Sequence, residues 1–238
     1  MNKIPCFVIS YNRPTFLKKC VEALAHEERV QIYIIDNGTP VDVWNKNGGL
    51  DVHVEAIFKN KINYGHTVLW NKEFQESFSQ FGFDFSFNEP YIVTDCDIIV
   101  PWKLPWLDVL LQGMERLPKY NKFGLGLNTR HIPDGYPSKS EVLHHENHVI
   151  YKNPIGDARF IEAPVDTTLA LYRPGYTKYS IWGNDSPLEW AGECNSVRTF
   201  APYEATHLTW HMTKEELAGE EHKNYCKSIK SNSTHWSK

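Results

Sequence analysis

The chain lacks any apolar run near the ~18 residues that a membrane-crossing helix needs. Its opening, "MNKIPCFVIS", also lacks the apolar length and small-residue cleavage site of a secretory leader. A cytoplasmic protein is expected, with peripheral membrane association through partners left open. Paired cysteine motifs are missing too. Cys6, Cys20, Cys96, Cys194 and Cys226 are odd in number and show no CxxC spacing, which favours reduced thiols over a disulfide framework or a zinc knuckle. There is no excess of charge of one sign: 25 Lys and Arg stand against 29 Asp and Glu, for a formal charge of −4. The basic residues are scattered among acids, so no nucleic-acid partner is expected. Internal repeats and low-complexity tracts are absent, and "GLGLN" lacks the strand-turn-helix context of a dinucleotide fingerprint.

What remains is an aromatic-rich chain of 238 residues, with 8 Trp, 12 Tyr and 12 Phe, long enough to bury a full core. Its first half alternates two patterns. "PCFVIS", "VQIYIID", "DVHVEAIF", "PYIVTDCDIIVP" and "KFGLGLNT" read as strands. "NRPTFLKKCVEALAHEE", "HTVLWNKEFQESFSQF" and "LPWLDVLLQGMERL" carry apolar residues at helical spacing, and Pro14 suits a first helical turn. This alternation predicts an α/β fold with a mostly parallel central sheet flanked by helices. Ligands of such sheets bind beyond the carboxyl ends of the strands, where this sequence places "SYNR", "DNGT" and "DCD".

The second half is less periodic. Residues 128–159 read as a long loop of the kind that forms binding elements or lids. "RFIEAPVDTTLALYRP" returns to a strand pattern, a Gly/Pro/Ser-rich loop follows to about residue 187, and "APYEATHLTWHM" follows. Thr213 with Glu216 forms a capping box before a helix, and residues 226–238 form a polar tail.

The most informative stretch is "YIVTDCDIIVP". Burying an unpaired carboxylate costs several kcal/mol or forces protonation, so two aspartates inside an apolar run need a compensating partner. Strand alternation would turn Asp95 and Asp97 to one side and Cys96 to the other. Two oxygen donors at a strand end are half of a site for Mg²⁺ or Mn²⁺, which would be completed by waters and phosphate oxygens.

"PCFVISYNRPTFLKKCVEAL", "IYIIDNGT", "NYGHTVLWN" and "YIVTDCDIIVP", in that order, resemble the nucleotide-sugar-binding half of a GT-A (Rossmann-like) glycosyltransferase. The likeness is to the large inverting group with an N-terminal S/T-Y-N-R turn and a D-x-D motif. It covers residues 4–102 well and the rest loosely. It implies one GT-A domain over 1–238, with a donor half at 1–102 and an acceptor half at 103–225. It places Ser10, Tyr11 and Arg13 in the turn that meets the nucleotide, and Asp36 on the base or ribose. Asn63, Gly65 and Asn71 would lie along the nucleoside and diphosphate. Asp95, with Cys96 beside it, would reach ribose or sugar, and Asp97 would be the principal metal ligand. The run H-L-x-W makes His207 the expected second ligand, with His211 as its rival.

The implied activity is metal-dependent transfer of a sugar from a nucleoside-diphosphate donor, expected to be UDP-linked, to a hydroxyl of a glycan or related acceptor. An inverting transferase needs a carboxylate base for that hydroxyl. Asp166 is the first choice, because it begins the strand after the long loop. Asp185, Glu189, Glu193 and Glu162 are rivals, and no Glu-Asp pair marks the position as in many relatives. "HHENH" reads as a loop segment rather than a zinc cluster, and Trp182 and Trp190 either stack on sugar or simply pack. Two other functions compete. A sugar-phosphate nucleotidyltransferase would usually carry a glycine-rich first loop, which "SYNRPTF" lacks. A non-catalytic nucleotide- or carbohydrate-binding module would need no base.

Overall fold

In a computed structural model, residues 3–45, 53–80, 82, 86–150, 153–176 and 195–228 are described. β1 (Ile4–Ser10) is buried from Cys6 onward, and β2 (Val30–Asp36) is buried at every position but Gln31. They pair in parallel from Ile4 opposite Val30 to Ser10 opposite Asp36. Strands covered on both faces read as continuous apolar runs, which explains the absence of polar alternation in them. α1 (Pro14–Leu24) connects them. Its Phe16, Leu17, Cys20, Val21 and Leu24 form the buried stripe, and Pro14 costs no helical hydrogen bond at the first turn.

β3 (Ala56–Lys59) lies parallel outside β2, and β4 (Tyr91–Asp95) lies parallel inside β1. The third strand is thus shorter than "DVHVEAIF". The expected helix over 66–81 is also broken. A 3₁₀ turn covers Val68–Trp70, and α3 (Lys72–Ser79) starts afresh, N-capped by Asn71, whose side chain accepts from the Phe74 amide at 3.0 Å. Between β2 and β3 the described residues include the short α2 (Val41–Trp44).

"PYIVTDCDIIVP" is likewise not one strand. β4 ends at Asp95, residues 96 and 97 turn, and β5 (Ile98–Ile99) joins a second sheet. After α4 (Trp106–Arg116), the expected strand over 122–129 divides the same way, into β6 (Lys122–Gly124) and β7 (Gly126–Leu127). α5 (Lys139–His144), a π-helical turn at His145–Ile150 and β8 (Asn153–Pro154) occupy the stretch read as a loop. "RFIEAPVDTTLALYRP" holds two strands, β9 (Phe160–Glu162) and β10 (Ala170–Tyr172), separated by residues 163–169. β11 (Ser196–Thr199), β12 (Glu204–His207), a 3₁₀ turn at Leu208–His211, α6 (Lys214–Ala218) and α7 (Glu220–Ser228) follow. The capping box of Thr213 and Glu216 opens α6 as read from sequence.

Among the described residues, the main sheet has the order β3-β2-β1-β4-β10-β6-β11-β9-β8, and a small sheet has the order β5-β12-β7. β9 and β10 run against the other strands of the main sheet. One apolar cluster packs α1 and α4 on one face of the sheet, and an aromatic-rich cluster with α3 covers the other. No described helix is long and apolar enough to cross a membrane.

Gly113 marks the tightest helix-to-sheet approach. A Cβ there would stand 2.5 Å from Phe160 Cζ and 3.2 Å from Phe123 Cδ1. Gly113→Ala is therefore expected to destabilise the fold by about 1–3 kcal/mol, although alanine is the better helix former. The midpoint of urea unfolding reads the effect, and an unchanged or raised midpoint would show that the ring of Phe160 yields freely.

Candidate active site

The carboxyl ends of the parallel strands form the floor of the site. Beyond β1, Asn12 takes φ 53°, and its amide donates to Thr39 Oγ1 at 3.0 Å. Asp36 at the end of β2 is 2% exposed and accepts from the Thr39 amide at 3.1 Å; burial pushes its carboxyl above the ordinary value. Asn37 Nδ2 donates to Gly65 O at 2.8 Å, and Asn60 Nδ2 donates to Asn37 Oδ1 at 3.1 Å. Asn63 is exposed and closes an Asx turn onto the Gly65 amide at 2.7 Å, while Gly65 sits at φ 81°, where a side chain would be strained. These residues lie beyond the carboxyl ends of β2 and β3, and Tyr11, which follows β1, is half-buried.

Several expected contacts are turned elsewhere. Ser10 is 2% exposed, and its side chain hydrogen-bonds the Cys96 thiol. Cys96 lies within the α1/α4 core, where burial pushes its thiol up to about 12, so it is a packing residue and not a donor contact. Asn71 is the α3 N-cap and not a residue within a helix along the nucleoside. Arg13 does not face the nucleotide edge. Its guanidinium turns inward, with Nη1 donating to Asp97 Oδ2 at 2.8 Å and bonding Thr209 Oγ1, and it stacks 3.6 Å from the Tyr225 ring centroid of α7.

The turn after β4, rather than strand alternation, sets the carboxylates. Asp95 still belongs to the main sheet, and its amide donates to Thr167 O at 2.7 Å. Asp97 has crossed to the small sheet, where the Leu208 amide donates to its carbonyl at 2.7 Å. The β5–β12 register places His207 opposite Ile98. His207 Nδ1 consequently lies 3.6 Å from Asp97 Oδ2, although 110 residues separate the two in sequence (207 − 97). The His207 ring stacks on Trp210 with centroids 4.6 Å apart, and its buried Nδ1 has no hydrogen-bond partner. His211 is set aside as a ligand, because its ring nitrogens lie 3.1 and 3.3 Å from the carbonyls of Asn128 and His131.

Charge separates the two aspartates. Burial, with Asp97 and Asp166 close by, drives the Asp95 carboxyl well above its ordinary value, against the Thr167 hydrogen bond and Arg13. Burial also acts to raise Asp97, but His207, Arg13 and the Thr209 hydroxyl outweigh it and hold that carboxyl below the usual value. Burial lowers His207, against the pull of Asp97.

Among the described residues, no group of three or more His, Cys, Asp or Glu is arranged to hold a metal ion. Asp97 and His207 are a pair, and their chemistry fits a divalent cation: an ionised carboxylate beside an orphaned, buried imidazole nitrogen. A cation there would share Asp97 with Arg13.

Asp166 sits not at a strand start but in the 163–169 connection. Ala170 pairs with Val93, so the residues before Ala170 lie beyond the carboxyl end of β4, next to Asp95. Asp166 Oδ1 accepts from the Thr167 amide at 2.8 Å, and Thr167 Oγ1 donates to Asp95 Oδ2 at 2.8 Å. Glu162 is excluded as its rival. It lies at the opposite end of the sheet, where Tyr120 Oη donates to Oε2 at 2.5 Å and Lys119 Nζ lies 3.3 Å away. Asp185, Glu189, Glu193, Trp182, Trp190 and Cys194 lie outside the described residues. Thr209, Thr167 and Tyr225 join the site without having been singled out in the sequence; no residue pattern marks a hydroxyl or ring whose partner is brought in by tertiary folding.

No family model and no curated protein matches the chain. Solved structures do. A mannosyltransferase from Pyrobaculum calidifontis, in complex with GDP-Man and Mn²⁺, aligns over 96% of this chain and 65% of its own, at 10% identity and a TM-score of 0.52. TarS from S. aureus aligns over 94% of this chain and 39% of its own, at 10% identity and a TM-score of 0.53. Its 1–349 fragment aligns over 86% and 60%, with a TM-score of 0.51. The chain thus spans less than two thirds of the length of each of these structures, and the likeness is one of fold.

Proposed function

We propose that this protein is a glycosyltransferase that moves a sugar from a nucleoside-diphosphate sugar to a hydroxyl of a glycan or related acceptor, with inversion. One observation carries the reading: the turn at 95–97 gathers Asp95, Asp97 and His207 beside Asp166 at the carboxyl end of the parallel strands, in a fold shared with a mannosyltransferase. Asp36, Asn63 and Gly65 would line the nucleoside, with Tyr11 beside them. Asp97 and His207 would hold Mn²⁺ or Mg²⁺, which when bound supplies positive charge to the departing diphosphate.

Asp166 would take the proton of the acceptor hydroxyl as that oxygen forms its bond to the anomeric carbon. The bond from that carbon to the diphosphate oxygen breaks in the same displacement, and its electron pair leaves with the nucleoside diphosphate. Asp95, whose carboxyl burial drives above its ordinary value, would meet the sugar or ribose through a hydrogen bond. Arg13 balances the Asp97 charge from within the fold.

The rival readings make different demands. A nucleotidyltransferase would consume a nucleoside triphosphate and release pyrophosphate, and a binding module would release nothing. Incubation with UDP- and GDP-sugars and Mn²⁺, with and without pyrophosphate, separates the three when free nucleoside di- and triphosphate are measured by mass spectrometry, a triphosphate formed only with pyrophosphate marking the nucleotidyltransferase. Release from one donor class supports transfer, and no release from any donor, with binding retained, favours the module.

A further inference from the structure

The connection 163–169 is tied down more completely than a surface loop requires. Ser196 Oγ donates to Ala163 O at 2.8 Å, Arg198 Nε to Pro164 O at 2.7 Å, and Lys122 Nζ to Val165 O at 2.7 Å. The Asp95 amide donates to Thr167 O at 2.7 Å, Thr94 Oγ1 to Thr168 O at 3.1 Å, and the Leu125 amide to Leu169 O at 3.2 Å. These donors come from β4, β6, β11 and the residue joining β6 to β7, and they hold the carbonyls on both sides of Asp166.

Three of the side chains are costly choices. Lys122 and Ser196 are 0% exposed and Arg198 is 4% exposed, at positions where a sheet core ordinarily takes apolar residues. A buried ammonium or guanidinium must be compensated, and an apolar side chain of similar volume stabilises a core as well or better. Arg198 is itself held by Glu146, 2% exposed in the π-helical turn, with Nη1 to Oε2 at 3.2 Å. Two residues along β6 from Lys122 the fit is close: a Cβ on Gly124 would stand 2.7 Å from Val165 Cγ2.

We infer that Lys122, Ser196 and the Arg198–Glu146 pair are positioning residues. Their hydrogen bonds to the 163–165 carbonyls fix the path of the connection and so hold Asp166 beside Asp95. The inference about catalysis rests on Asp166 being the base; the inference about the connection does not.

Amide hydrogen exchange tests it, with the urea-unfolding stability of each variant measured in parallel to subtract global effects. In Lys122→Met, exchange at the Asp95 and Leu125 amides, whose acceptors are in the connection, is expected to rise at least about tenfold beyond the global change. The amides of β2 should follow global stability alone. Ser196→Ala, which removes a donor without touching a charge, should give a smaller rise at the same amides and serves if Lys122→Met does not fold. With a donor that the wild type turns over, kcat should fall in both variants while donor KM stays unchanged. Equal acceleration across the whole sheet, or none at the two amides, overturns the positioning role. If those amides loosen yet Asp166→Asn still transfers sugar, the positioning stands and the reading of Asp166 as base fails.

Discussion

Asp166→Asn is expected to lower sugar transfer by about 10²–10⁴-fold while donor affinity stays within about twofold of the wild type. Asparagine keeps an oxygen that can accept from the Thr167 amide, so the connection should keep its path, and what is lost is the capacity to take a proton. The comparison is kcat for nucleoside diphosphate release in the presence of acceptor, set against donor Kd from titration. A variant with wild-type turnover would move the base elsewhere, with Asp185, Glu189 and Glu193 the next residues to replace. Parallel loss of donor affinity would make Asp166 a donor contact instead.

The second large effect is on stability. Asp97→Ala should cost about 3–5 kcal/mol, because it leaves the Arg13 guanidinium, 5% exposed, without its anion and removes the acceptor of the Thr209 hydroxyl. Asp97→Asn also removes the anion but keeps an oxygen for both donors, and should cost less by about 1 kcal/mol. The difference in urea midpoint between the two variants reads the acceptor oxygen, and the loss that they share reads the unpaired guanidinium. If Asp97→Asn unfolds at the wild-type midpoint, the charge of the buried Arg13–Asp97 pair is not what the aspartate contributes. The pair also constrains ligand chemistry: any cation taken up at Asp97 enters a site already balanced by a guanidinium.

Much of this was legible in the sequence, for reasons that differ by residue. β1, β2 and α1 follow from apolar run length and helical spacing, because burial on both faces of a parallel sheet leaves a continuous apolar pattern. Asp97 and His207 could be named by resemblance, and the β5–β12 register brings them together. Asp166 lies by Asp95, although through a connection between antiparallel strands and not at a strand start.

Other features have no local signal. Arg13 reads as a residue of the nucleotide-facing turn because its partner Asp97 is 84 positions away. Asn71 looks like a helix residue until the 3₁₀ turn before it shows that it is a cap. The single apolar run around "TDCD" hides a crossing between two sheets, since a strand and its continuation after a two-residue turn have the same composition. Lys122 and Arg198 bond chiefly to backbone carbonyls, which carry no side-chain identity that a sequence pattern could match.

If the Asp95–Asp97 turn holds a nucleoside-diphosphate sugar through a divalent cation, donor binding should depend on both the cation and Asp97. Calorimetric titration of GDP-mannose and UDP-sugars onto the wild type with Mn²⁺, the wild type in EDTA, and Asp97→Asn with Mn²⁺ tests it most directly. At least one donor should bind in the first case and be weakened at least about tenfold, or ~1.4 kcal/mol, in the other two. Equal binding in all three, or no binding of any donor by the wild type, would contradict it.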